Sequence, residues 1–317
     1  MKRAQRIQVM LTNFLINNPL HFVFCMVCLI TILNLENQAI FAKETSKQSL
    51  QTVIFEVESS FHQSDQSRSY LGISPIVVIE GGQYMEPPVT CNESEEFGMS
   101  WFRLGTEYRV LHGGGEAGHV TVTKWLVPEP DGCDQNAAMI DMKLTRKLDQ
   151  GESFLATNSK GLGGTRSLRR LPTPEEEAKI LELGREAFRA KGVREKQIRS
   201  MKTSHLAVID VDDDGINEML GSFSIEIQMK KETIRHDVFL LLEKQMGIYL
   251  PAIFWFHSGS GVETHLKTFI DNVDLDQDGI QELIVEQMFV CGITRYQIYS
   301  KREGEWQSIY EGGGSKC

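Results

Sequence analysis

Two acidic stretches, 210–218 and 274–282, constrain this chain more than any other feature. The first reads Asp210-Val-Asp212-Asp-Asp214-Gly215-Ile216-Asn-Glu218 and the second Asp274-Leu-Asp276-Gln-Asp278-Gly279-Ile280-Gln-Glu282. They agree at every second position through the glycine to the final glutamate, so they are two copies of one unit. Carboxylates this crowded repel one another, and a hard cation among them relieves the repulsion. Calcium takes six to eight oxygens, and alternate residues of a tight loop aim their oxygens at one point. Positions one, three and five are carboxylates in both copies, and the glycine at six permits the sharp turn. The backbone carbonyl of Ile216 or Ile280 is expected at position seven and Glu218 or Glu282 at nine. The pattern therefore predicts two bound Ca2+ ions, one per loop.

An EF-hand needs glutamate at position twelve and flanking helices. Position twelve is Gly221 in one copy and Val285 in the other, and the flanks read as strands. The two stretches resemble the calcium loop of FG-GAP and VCBS-type repeats, as in integrin-like β-propellers, where Asp-x-Asp-x-Asp-Gly-x-x-Asp/Glu precedes a strand. The resemblance is limited to residues 205–290 and departs in having glutamate at position nine. It implies a propeller-blade-like or sandwich arrangement of antiparallel sheets for the C-terminal half. Two copies cannot close a ring, so a closed propeller is not expected.

The chain of 317 residues is long enough for one large or two ordinary domains. Its net charge of −10 argues against a nucleic-acid partner. Lys2, Arg3 and Arg6 precede an apolar run at 20–33, and Ala39-Ile-Phe-Ala42 follows a polar break. That order predicts a signal peptide over 1–42, cleaved after Ala39 or Ala42, and hence an exported protein, periplasmic or extracellular. Left uncleaved, the same segment is a signal anchor, the one route to membrane association. Without it, Cys91, Cys133, Cys291 and Cys317 remain. An oxidising compartment favours their pairing. Three pairings are open, the most local being Cys91–Cys133 with Cys291–Cys317.

The remaining chain reads as mainly β with one prominent helix. Residues 43–170 form a β-rich N-terminal domain, entered through a polar, weakly ordered stretch at 46–69. Strands are expected at 73–80, 101–111, 119–127, 138–144 and 154–157, with Gly113-Gly-Gly115 as the turn of a hairpin. Residues 171–200 are a helix and linker. Thr173, Pro174 and Glu176 make a capping box, the apolar stripe is Ile180, Leu181, Gly184, Ala187 and Phe188, and Gly192 closes it. This helix is expected to pack across a sheet between the two halves. Residues 201–317 form a β domain carrying both loops, whose spacing of 64 residues leaves room for a four-stranded antiparallel unit. The cluster Arg166-Ser-Leu-Arg-Arg170 reads as a solvated linker.

These features point to an exported calcium-binding β protein, a non-enzymatic binding or structural module stabilised by two Ca2+ ions, with a protein or glycan as its partner. The competing reading is a secreted hydrolase with its active site in the N-terminal domain and the loops as accessory structure. Its candidates are His112, Glu116 and His119, around a His-Gly-Gly-Gly string like the oxyanion segment of some lipases. The serine elbow that such a site requires is missing from the sequence, and a glycine-rich hairpin explains the three residues without any ligand.

Overall fold

The computed structural model describes residues 51–61, 70–88, 91–126, 136–145, 153–230, 232–260, 265–289 and 293–314. The predicted signal peptide and Cys133, Cys291 and Cys317 lie outside the described residues. The described chain is mainly β, in antiparallel sheets.

Strands β1 (Gln51–Phe61), β2 (Tyr70–Glu80), β3 (Gln83–Met85), β4 (Glu107–His112), β5 (Gly115–Leu126), β6 (Ala137–Leu144) and β7 (Phe154–Thr157) form one sheet in the order β1-β7-β4-β5-β6-β2-β3. An added β1–β2 pairing closes six of these strands into a barrel. The stretch read as a weakly ordered entry thus supplies a full barrel strand. Its Val53, Phe55 and Val57 alternate into the barrel interior, and Ile54 faces out. That two-residue alternation is the strand period. Helix α1 (Cys91–Trp101) and a turn precede β4, so the strand expected at 101–111 starts at Glu107. Its Phe97 and Trp101 lie one turn apart and join the barrel core with Phe102.

β8 (Arg169–Arg170), β9 (Lys202–Ile209), β10 (Glu218–Gln228), β11 (Thr233–Gln245) and β12 (Ile248–Ser260) make a five-stranded sheet ordered β12-β11-β10-β9-β8. β13 (Leu266–Val273), β14 (Glu282–Met288), β15 (Thr294–Arg302) and β16 (Glu305–Gly312) make a four-stranded meander. Helix α2 (Pro174–Ala190) has the expected capping box, with Thr173 Oγ1 accepting from Glu176 N–H and Glu176 Oε2 accepting from Thr173 N–H at 2.8 Å. A single helical turn, α3 (Glu195–Ile198), follows.

The apolar clusters stack these elements in layers. Ile180 and Phe188 of α2 bury against Val208, Met219, Phe223 and Leu240 on one face of the five-stranded sheet. The helix therefore covers an outer face, not a junction between halves. The other face of that sheet packs Ile209, Leu220, Phe239 and Leu241 on Phe269, Leu283 and Val285 of the meander. The meander's second face sets Ile270, Ile284, Tyr296 and Ile298 against Ile54, Ile76, Leu111 and Leu155 on the barrel's exterior. Both sheets are covered on both faces, so their strands read as unbroken apolar runs such as Val238-Phe-Leu-Leu-Leu242.

The arginine cluster is not a solvated linker throughout. Arg166 and Arg170 are exposed, but Arg169 is buried. Its guanidinium donates to the Ile270 carbonyl at 2.8 Å, lies 3.3 Å from Asp271 Oδ1 and sits over the Phe269 ring. Asp271 Oδ1 also accepts from Gly113 N–H at 2.8 Å. One buried ion pair thus joins the glycine hairpin of the barrel, β8 and β13.

Candidate metal centre

The two acidic stretches occupy the same place in their respective sheets. Loop 210–217 joins β9 to β10 and loop 274–281 joins β13 to β14, each at the first hairpin of a meander. At position two, Val211 and Leu275 are buried in the adjoining cores and anchor the loops. Position four turns left-handed in both, with φ of 55° at Asp213 and 63° at Gln277. The glycines at position six follow with 82° at Gly215 and 94° at Gly279, a conformation that a side chain would strain.

The hydrogen bonds repeat one for one. Asp210 accepts from Asp214 N–H and Gly215 N–H, both at 3.0 Å, as Asp274 does from Asp278 N–H at 3.2 Å and Gly279 N–H at 3.0 Å. Asp214 Oδ1 accepts from Ile216 N–H at 2.6 Å, and Asp278 Oδ1 from Ile280 N–H at 2.8 Å. The closing glutamates reach back in the same way. Glu218 Oε2 accepts from Val211 N–H at 3.1 Å and Glu282 Oε2 from Leu275 N–H at 2.7 Å. Two sequences that differ at three of nine positions have therefore folded into one loop.

Oxygens of Asp210, Asp212 and Asp214 lie within 4.8 Å of one another, and so do those of Asp274, Asp276 and Glu282. Glu218 and Asp278 stand outside these closest sets, and Ile216 and Ile280 contribute no side-chain donor. Burial, then the neighbouring carboxylates, raise Asp212 and Asp274 from their ordinary value. Glu218 and Glu282 are driven to about 7, chiefly by burial and then by the aspartates beside them, against the backbone N–H each accepts. Two oxygens in these loops are buried without a hydrogen-bond donor, Asp212 Oδ1 and Glu282 Oε1. Glu282 is 0% exposed. A buried carboxylate oxygen without a donor costs free energy that a cation offsets. The donors are all carboxylates, with neither imidazole nor thiolate among them, which fits a hard divalent ion.

Contacts that the loop sequences do not announce surround the first site. Arg166 pairs with Asp213. Lys301, on β15, lies 2.9 Å from Glu243, and its charge also acts on Asp212 and Glu218. Gln281 N–H donates to the Val211 carbonyl at 2.8 Å, so the two loops touch through their backbones. All three join residues far apart in the chain.

The residues of the hydrolase reading are not gathered in this way. His112 is buried beside Phe154, its Nδ1 3.4 Å from Ser167 Oγ. Glu116 is paired with Arg109 at 2.6 Å, and His119 lies partly exposed on β5. Among the described residues, the groups placed to share an ion are the two acidic sets alone.

Comparison with known proteins adds no relative: family models, curated proteins and solved structures all yield no match to the chain.

Proposed function

We propose that this chain is an exported calcium-binding β protein whose two FG-GAP/VCBS-like loops each hold one Ca2+ ion. It acts as a non-enzymatic binding or structural module, with a protein or glycan as its partner. The observation that carries the reading is the fully buried Glu282, whose Oε1 lacks a donor while Asp274 and Asp276 converge beside it. The second loop reproduces the same backbone, which one accidental acidic turn would not do. The antiparallel meanders whose first hairpins carry these loops support the likeness to propeller blades. Export rests on the basic start, apolar run and Ala39-to-Ala42 segment of the sequence.

In this reading calcium stabilises the fold by mass action, about 2.7 kcal/mol per site when free calcium is a hundred times the dissociation constant. Thermal melts of the purified protein in chelator and in calcium test it, together with metal analysis. The expected result is a higher melting temperature in calcium and two ions per chain. An unmoved melting curve with no retained calcium overturns it.

A further inference from the structure

Resting on the calcium reading above, we infer that the two sites are unequal and fill in order. Loop 274–281 with Glu282 takes its ion first and tightly, and that ion prepares loop 210–217, which binds more weakly.

The first argument is preorganisation. Around the second loop, the buried glutamate at position nine already lies within 4.8 Å of Asp274 and Asp276. Around the first loop, the set at that distance is three aspartates, Asp210, Asp212 and Asp214, and Glu218 is not among them. Ligands already gathered about the buried carboxylate need less rearrangement when the ion arrives, and affinity gains by what is not spent on ordering.

The second argument is competition. Arg166 pairs with Asp213 beside the first site, and the Lys301 ammonium acts on Asp212 and Glu218. A cation entering there meets positive charge nearby, which lowers its affinity.

The third is the link. Gln281 immediately precedes Glu282, and its N–H holds the Val211 carbonyl at 2.8 Å. Val211 follows Asp210, and its own N–H is held by Glu218 Oε2 at 3.1 Å. An ion that fixes Glu282 therefore fixes Gln281, and through it the segment between two ligands of the first loop. Couplings between sites typically span about 5–150-fold in affinity, and one backbone contact places this one at about five- to tenfold.

The test is calorimetric titration of chelator-stripped full chain with calcium chloride, using wild type, Asp212→Asn, Asp276→Asn and Glu282→Gln, with circular dichroism as the check on folding. Asp276 is exposed, so its variant keeps the test open if Glu282→Gln does not fold. Wild type should show two steps. Asp212→Asn should lose only the weaker step and keep the tight one. Asp276→Asn should lose the tight step and weaken the remaining one by about five- to tenfold. Two equal steps in wild type, loss of the tight step in Asp212→Asn, or an unchanged remaining site in Asp276→Asn overturns the ordering. Absence of any calcium uptake by wild type overturns the underlying calcium reading instead.

Discussion

Replacing Arg169 with methionine should be among the most damaging single changes in the molecule. Arg169 is 8% exposed and Asp271 is 0% exposed. The variant leaves a buried carboxylate with the backbone N–H groups of Gly113 and Asn272 as partners and strips the Ile270 carbonyl of a donor. Removing one member of a buried pair costs about 3–5 kcal/mol. At about 2–4 °C per kcal/mol for a unit of this size, the melting temperature should fall by roughly 6–20 °C. The loss should also depend on pH. Burial lifts the Asp271 carboxyl from 3.8 to about 6 even with Arg169 pulling it down. Because the folded value lies above the unfolded one, its relative contribution is fully present below about 3.8 and fades as pH rises through the folded value. Without Arg169 that value climbs further. The gap between variant and wild type should therefore widen from about pH 5 to about pH 8. Adding Asp271→Asn removes the uncompensated charge and keeps an acceptor for Gly113 N–H, so the double variant should recover much of the loss. Calorimetric melts of the three proteins across that range decide it. A single variant within about 2 °C of wild type at the alkaline end, or a gap indifferent to pH, would refute the reasoning.

Other outcomes follow from the same packing. Thr173→Ala removes the cap of α2 and should cost about 1 kcal/mol in chemical denaturation. Gly184→Ala places a Cβ 2.7 Å from Phe223 Cε2, and the overpacking should cost about 1–3 kcal/mol despite alanine's better helix propensity. Lys267 is an amine buried among Gln297, Tyr299 and Trp255, and burial lowers it to about 8. A base held below its ordinary 10.5 weighs on the fold at neutral pH, and the burden lifts as pH rises through about 8 toward 10.5. Tyr299 keeps its bond to Gln297 at 2.7 Å without it, so Lys267→Met should be close to neutral at pH 7 in urea melts and lose ground to wild type at alkaline pH.

The β character of 201–317, the helix cap and both loops are legible because each rests on neighbours in sequence: apolar runs, a threonine three residues before a glutamate, a glycine that must turn left-handed. The barrel was legible only as scattered strands. Its closure depends on β1 meeting β7 and β2, as in Ile54 opposite Thr157, and no local pattern specifies a partner about a hundred residues away. Helix α1 leaves little trace in the sequence, since only Phe97 and Trp101 mark its apolar stripe, between acidic residues and a glycine. Arg169 sits between exposed arginines, and nothing in that string distinguishes the one that is desolvated. At the metal centre, the ligand types and spacing were open to view, but Arg166, Lys301 and the Val211–Gln281 contact are products of the fold.

The layering also limits growth. Stacked sheets with apolar faces on both sides tend to recruit another sheet until something different in kind covers the last one. Here α2 is the stop at one end and the barrel wall the stop at the other. Two repeats suffice because each has a lid of its own, and a third meander could be accommodated only by insertion between the existing pair.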